Sequence, residues 1–120
     1  MEELRPIAVE ETNEFLTATK KLMDDAERSE LVEYLAYNPT VGDLIPETGG
    51  VRKIRWGLAG RGKRGGARVI CFFHDMEMQL YLLEAFAKND RANLTKAECN
   101  ELRQVTELIV NSYKRRRAGR

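Results

Sequence analysis

Residues 52–68 hold seven cationic side chains, Arg52, Lys53, Arg55, Arg61, Lys63, Arg64 and Arg68, and no carboxylate. Cations at this density repel one another unless an anion neutralises them, so the segment suits a polyanion whose charges recur along a backbone. Gly57, Gly60, Gly62, Gly65 and Gly66 fall among them. A loop so rich in glycine lets its backbone and its cations approach phosphates closely. A solvated, charged hairpin loop would have the same composition. Two nucleotide-binding patterns are nominally satisfied here, and both fail at a chemical step. The run from Gly57 to Lys63 fits GxxxxGK, but Arg64 stands where a Ser or Thr hydroxyl must reach magnesium. Gly60, Gly62 and Gly65 fit GxGxxG, but the residues that follow read as a strand and not as the helix whose N-terminus would receive a pyrophosphate.

Stepping out from the cations, the whole chain of 120 residues is nearly neutral, with a formal net charge of +1. The charge is distributed unevenly: residues 1–33 carry ten acidic and four basic residues, and a second basic run at 114–117 with Arg120 closes the sequence. The length fits one domain spanning 1–120, with a basic tail at 114–120 that is expected to fray. No apolar run approaches the roughly 20 residues needed to cross a bilayer, and the opening Met1-Glu2-Glu3 lacks the positive charge of a secretory leader. The expected compartment is therefore the cytoplasm, with no membrane partner. Cys71 and Cys99 stand 28 positions apart with no CxxC and no Cys/His cluster, so two reduced, mostly buried thiols are expected and no metal site. No cofactor is called for.

The elements that must position the cations follow from periodicity. Residues 6–9 read as a strand and 10–23 as a helix with Phe15, Leu16 and Thr19 on one side. Asp24-x-x-Glu27 offers a capping box to a second helix that runs to about Tyr37, where Asn38-Pro39 stops it. A connector follows, then a cationic strand at 51–56 and a loop at 57–66. The apolar runs 67–73 and 78–87 form a hairpin, and Thr95-x-x-Glu98 caps a last helix with Cys99, Leu102, Val105, Ile109 and Tyr113 along one buried face. Strands joined by short turns predict an α+β fold: a small antiparallel sheet packed against two N-terminal helices and a C-terminal helix. His74 reads as a turn residue, and Trp56 as a core or sheet-edge anchor.

Four stretches occur in order: Asn38-Pro-Thr-Val-Gly-Asp-Leu-Ile45, Thr48-Gly-Gly-Val-Arg-Lys-Ile-Arg55, Gly62-Lys-Arg-Gly-Gly-Ala-Arg-Val-Ile70 and Tyr81-Leu-Leu-Glu-Ala-Phe-Ala-Lys-Asn89. On these the chain resembles the RelE/ParE superfamily of toxins from type II toxin-antitoxin modules, and its HigB-like branch in particular. The resemblance implies a RelE-like fold and a ribosome-dependent endoribonuclease that cleaves messenger RNA in the A site without metal, inhibiting translation. It also implies a cognate helix-turn-helix antitoxin, through which alone operator DNA would be bound.

Cleavage by attack of a 2′-hydroxyl on its own 3′ phosphate needs a base, stabilisation of the charged phosphorane and an acid for the departing 5′ oxygen. One histidine excludes a two-histidine mechanism within one chain. Lys63 is the candidate base, provided its cationic surroundings lower its pKa from about 10.4 toward 7 to 8. Arg68 is the candidate phosphate clamp, since guanidinium forks two donors toward phosphate oxygens, and it is expected to lie outside the core. Lys88 is the second cation, near the leaving group. By resemblance, Arg68 matches the family's arginine at the start of the central strand and Lys88 the basic residue after the last strand. Arg52, Lys53, Arg55, Arg61 and Arg64 are candidates to track the RNA backbone, and Phe86 to stack on a base. Relatives commonly carry tyrosine where this chain has Cys71 and Phe86, so a phenol does no proton transfer at these places. The alternative is a non-catalytic RNA-binding regulator, or a gyrase-type poison, on the same fold.

Overall fold

The computed structural model describes residues 5–58, 62–88 and 93–119, with the backbone alone at 62–65. Among these residues the order is β1 (Val9–Glu11), α1 (Asn13–Thr19), α2 (Asp25–Tyr37), β2 (Asp43–Leu44), β3 (Val51–Leu58), β4 (Gly62–Phe72), β5 (Leu80–Ala87) and α3 (Lys96–Ala118). The strands form one sheet in the order β1-β5-β4-β3-β2. The fold is α+β. The sheet is mixed, however, and not purely antiparallel as expected: β1 runs parallel to β5, with Val9 opposite Leu80 and Glu11 opposite Leu82. Short turns account for the antiparallel neighbours, but β1 pairs with a strand at the far end of the sheet's sequence, which no short turn could signal.

That pairing also shortens the first helix. Glu10 and Glu11, good helix formers, are taken into β1, and the hydroxyl of Thr12 donates to the Leu82 carbonyl at 2.8 Å while accepting from the Phe15 amide at 3.2 Å. Helix α1 therefore starts at Asn13 and ends at Thr19. The expected box on α2 forms in both directions, the Glu27 amide on Asp24 at 2.8 Å and the Asp24 amide on Glu27 at 3.2 Å. Asn38 closes the helix with its side chain on the Tyr34 carbonyl at 2.9 Å. Arg28 ties α2 back to Glu11 of β1 at 3.5 Å.

The two faces of the sheet bury separate cores. One packs Ile54, Val69, Cys71, Leu80 and Leu82 against Phe15 of α1 and Leu31 and Leu35 of α2. Each such aliphatic or aromatic side chain contributes about 1.5–3 kcal/mol when fully buried, so this face fixes the fold. The other packs Val51, Ile70, Phe72, Leu83 and Phe86 against Leu102, Ile109, Val110 and Tyr113 of α3. Residues apolar on both parities of β4 thus serve two cores, as expected of a central strand.

Helix α3 departs from expectation in two ways. Its line of contact passes through Thr106, which is buried, while Val105 turns outward and is 39% exposed. The Thr106 hydroxyl lies 3.0 Å from the Thr48 carbonyl and 2.8 Å from that of Arg103. At Gly49, with φ +80°, an added Cβ would stand 2.5 Å from the Thr106 oxygen. A hydroxyl and a glycine therefore bring helix and turn together more closely than valine at the contact line would allow. Residues 114–117, expected to fray, continue the helix, and Gly119 caps it. Arg117 pairs with Glu77 in the β4–β5 turn and with the Tyr113 hydroxyl at 3.0 Å. Both contacts raise its pKa above the ordinary arginine value, the Tyr113 bond most. No described helix is long and apolar enough to cross a membrane.

Candidate functional site

Cross-strand partners share a face, so the register decides which cations meet. On the face that carries α3, one row across the sheet is Arg55, Arg68 and Phe86; the next is Lys53, Ile70 and Glu84; a third contains Val51, Phe72 and Tyr81. Helix α3 covers the third row, where the side chains are apolar. The charged rows lie toward and beyond its N-terminal end, where Lys53 Nζ meets Asn93 Oδ1 at 3.2 Å. Arg55 is exposed at the rim. Neighbouring strands stand about 4.8 Å apart, so Arg55 and Arg68 are like charges on adjacent positions of one row, an arrangement that costs stability unless anionic or polar groups offset it.

Arg68 occupies the centre of this row, but it is 5% exposed, contrary to the expectation that it would lie outside the core. Its position on the central strand, flanked on both sides, buries the side chain almost whole, and the buried Nη1 bonds the Ala67 carbonyl at 3.3 Å. Phe86, beside it, is 8% exposed and belongs to the second core. It forms a floor, with little ring face open for stacking on a base. Lys88 is exposed where β5 ends, two residues beyond Phe86, and its amide bonds the Gly66 carbonyl at 3.1 Å.

Arg52 does not join this site. It pairs with Cys71 across the ladder, on the opposite parity from Lys53 and Arg55, and its guanidinium holds the Thr40 carbonyl at 2.9 Å and that of Gly42 at 3.3 Å. It fastens the connector to β3. Arg61 lies outside the described residues, as do the side chains of Lys63 and Arg64, although Lys63 and Arg64 lie within β4. The expected loop at 57–66 is therefore shorter, since β3 continues to Leu58 and β4 begins at Gly62, with an irregular register between Trp56 and Leu58.

Two residues of the charged rows escaped sequence reasoning. Glu84 is a single acid inside the apolar run of β5, two positions before Phe86, and that isolation was a usable signal. Asn93 carried none, because only the approach of α3 brings it to Lys53.

Elsewhere, Trp56 stacks at a tilt on Tyr34, ring centres 5.6 Å apart, as a sheet-edge anchor. His74 follows β4 with Nε2 3.7 Å from Asp75. Burial pushes the Cys71 thiol up to about 12 despite the neighbouring Arg52 charge, and Cys99 is half-buried. Compared with known families, residues 9–116 match the model described as the RelE toxin of the RelE / RelB toxin-antitoxin system.

Proposed function

Because the chain belongs to the RelE toxin family, and is thus a toxin with a cognate antitoxin, we propose that its charged sheet face binds messenger RNA in the ribosomal A site and cleaves it there. The observation that carries this reading is the row Arg55, Arg68, Phe86, which sets two cations side by side on adjacent strands, with exposed Arg55 at its rim and exposed Lys88 two residues beyond Phe86. Two cations on adjacent strands concentrate positive charge where a phosphate can bind, and the rigid sheet holds them in place before substrate arrives.

In this reaction the substrate's 2′-hydroxyl loses its proton to Lys63 and attacks the adjacent phosphorus. Arg68 donates to the non-bridging oxygens as negative charge grows in the phosphorane. The 5′ oxygen departs beside Lys88, which supplies its proton. Lys53 and Arg55, with Arg61 and Arg64, position the backbone without reading sequence. Phe86 supports Arg68 from below, and Arg52 is left out of the RNA contacts because its guanidinium is committed to the connector. The chain acts in the cytoplasm, in the HigB-like branch of the family, with a helix-turn-helix antitoxin through which it meets operator DNA.

Primer extension on messenger RNA in a translating extract tests the reading. New breaks confined to the A-site codon are the expected result. Binding to ribosomes without breaks would instead support the non-catalytic alternative.

A further inference from the structure

Along the edge of α3, one row from Arg68, an apolar groove of about 500 Å³ opens between the helix and β5. Ile70, Leu83, Leu102 and Val105 line it, Glu14, Glu84 and Glu101 are among the acids at its rim, and among the described residues no basic one lines it. It is separate from the charged row used above, and its chemistry is the reverse. The outer side of α3 continues it: Leu108 is 67% exposed, more than any other large apolar residue among those described, and Val105 is 39% exposed.

Glu101, Val105, Leu108, Ser112 and Arg116 recur every three or four residues and form one stripe on the helix surface. The stripe is acidic at one end, apolar in the middle and basic at the other. Turned end for end against a copy of itself, it sets Glu101 against Arg116, Val105 against Ser112, and Leu108 against the neighbouring Leu108 and Ile109. The Glu101–Arg116 pairing occurs twice in such an arrangement, which is the self-complementarity that a two-fold interface requires. Arg116 holds the Ser112 oxygen at 3.3 Å and is exposed, so its remaining donors can face the second chain.

We propose that this stripe is a docking surface for a second copy of the chain, with the two α3 helices antiparallel and the apolar middle seated at the mouths of the two grooves. A helix of this length, about 34 Å, offers a footprint of roughly 400 Å² per chain. That is about half of the roughly 800 Å² per partner in a standard stable complex, so the dimer is reversible and concentration-dependent. The surface is independent of RNA cleavage, so its failure would leave the proposed reaction standing.

Sedimentation equilibrium of the isolated chain across a concentration series tests this, with circular dichroism confirming the fold of each variant. In dilute salt the mass rises toward that of a dimer, and salt above roughly 0.5 M weakens association by screening the exposed pairs. Leu108→Asp, at a position too exposed to disturb folding, abolishes the dimer. Glu101→Arg and Arg116→Glu each weaken it by about ten-fold, because each places like charges together twice, and the double reversal restores it. A monomer at every soluble concentration would overturn the proposal, as would a dimer that either single reversal or Leu108→Asp leaves intact. A monomeric chain whose copurifying antitoxin is lost on Leu108→Asp would assign the stripe to that partner and equally overturn the second copy.

Discussion

Replacing Arg68 separates its chemistry from its packing, because the side chain does both. Its side chain is buried on the central strand, where the residue stands between Arg55 and Phe86 in the row. Arg68→Lys keeps a long stem and the charge but loses the fork. A forked pair places two charge-assisted hydrogen bonds on a phosphate, each worth about 1.5–3 kcal/mol, and lysine retains one of them. The loss of about 2 kcal/mol in the transition state lowers the cleavage rate roughly 30-fold. Arg68→Ala removes the stem as well and leaves a void beside the second core, costing about 1–3 kcal/mol of stability and lowering the melting temperature by several degrees. The assay is single-turnover cleavage of messenger RNA on programmed ribosomes at saturating ribosome, beside a melting curve for each variant. A folded Arg68→Lys protein that cleaves within about threefold of the wild-type rate would refute the clamp, since no fork would be in use.

Ribosome binding should weaken with salt, and Lys53→Ala or Arg55→Ala should each lower the slope of log K against log salt by about 0.7, whereas Arg52→Ala, on the other face, leaves it unchanged. Ladder pairing predicts this contrast between adjacent residues, and equal slopes for Arg52→Ala and Lys53→Ala would contradict it. The Cys71 thiol stays neutral in the fold up to about 12 but ionises near 9.0 once exposed, so the unfolded chain gives up its proton first. Stability therefore falls as pH rises above 9, by up to about 1.4 kcal/mol per pH unit from this group, and denaturant titrations should show a shallower fall in Cys71→Ala. Gly49→Ala combines a left-handed backbone with a clash at Thr106 and should cost about 2 kcal/mol or more, read as a lower denaturation midpoint. Glu77→Gln releases an exposed pair screened by solvent, so hydrogen exchange should quicken in the last turns of α3 while the global midpoint barely moves.

The parts of the fold legible in sequence are those whose signals lie within a few residues of one another. Asp24 with Glu27 and Thr95 with Glu98 mark helix starts because donor and acceptor are separated by a single turn. β1 was misplaced because the group that claims Glu11 is Leu82, far along the chain, and local propensity favoured helix. Alternation by two along β3 already separates Arg52 from Lys53 and Arg55, so the division of cations between faces was present in the sequence; treating the seven as one cluster concealed it. Thr106 was less accessible. Hydropathy ranks valine above threonine for burial, and the preference reverses only because Gly49 lets a backbone carbonyl reach the hydroxyl.

The position of α3 along the sheet decides where a site can exist at all. Val51, Lys53 and Arg55 share one face of β3, as Arg68, Ile70 and Phe72 share that face of β4, so pleating alone would expose all six equally. The helix breaks that equivalence. Thr106 on Thr48 and Arg117 on Glu77 anchor it over the row of Val51 and Phe72, and Asn93, just before the helix begins, meets Lys53. Val51 and Phe72 fall under the helix and exposed Arg55 falls beyond it, because a guanidinium beneath an apolar helix would lack the solvent or anion that offsets its charge. Arg68 stands at the boundary between these regimes. Its side chain has the burial of a core residue, Nη1 included, and it stands beside exposed Arg55 in the row, so a single side chain links the stability of the sheet to the chemistry proposed on it.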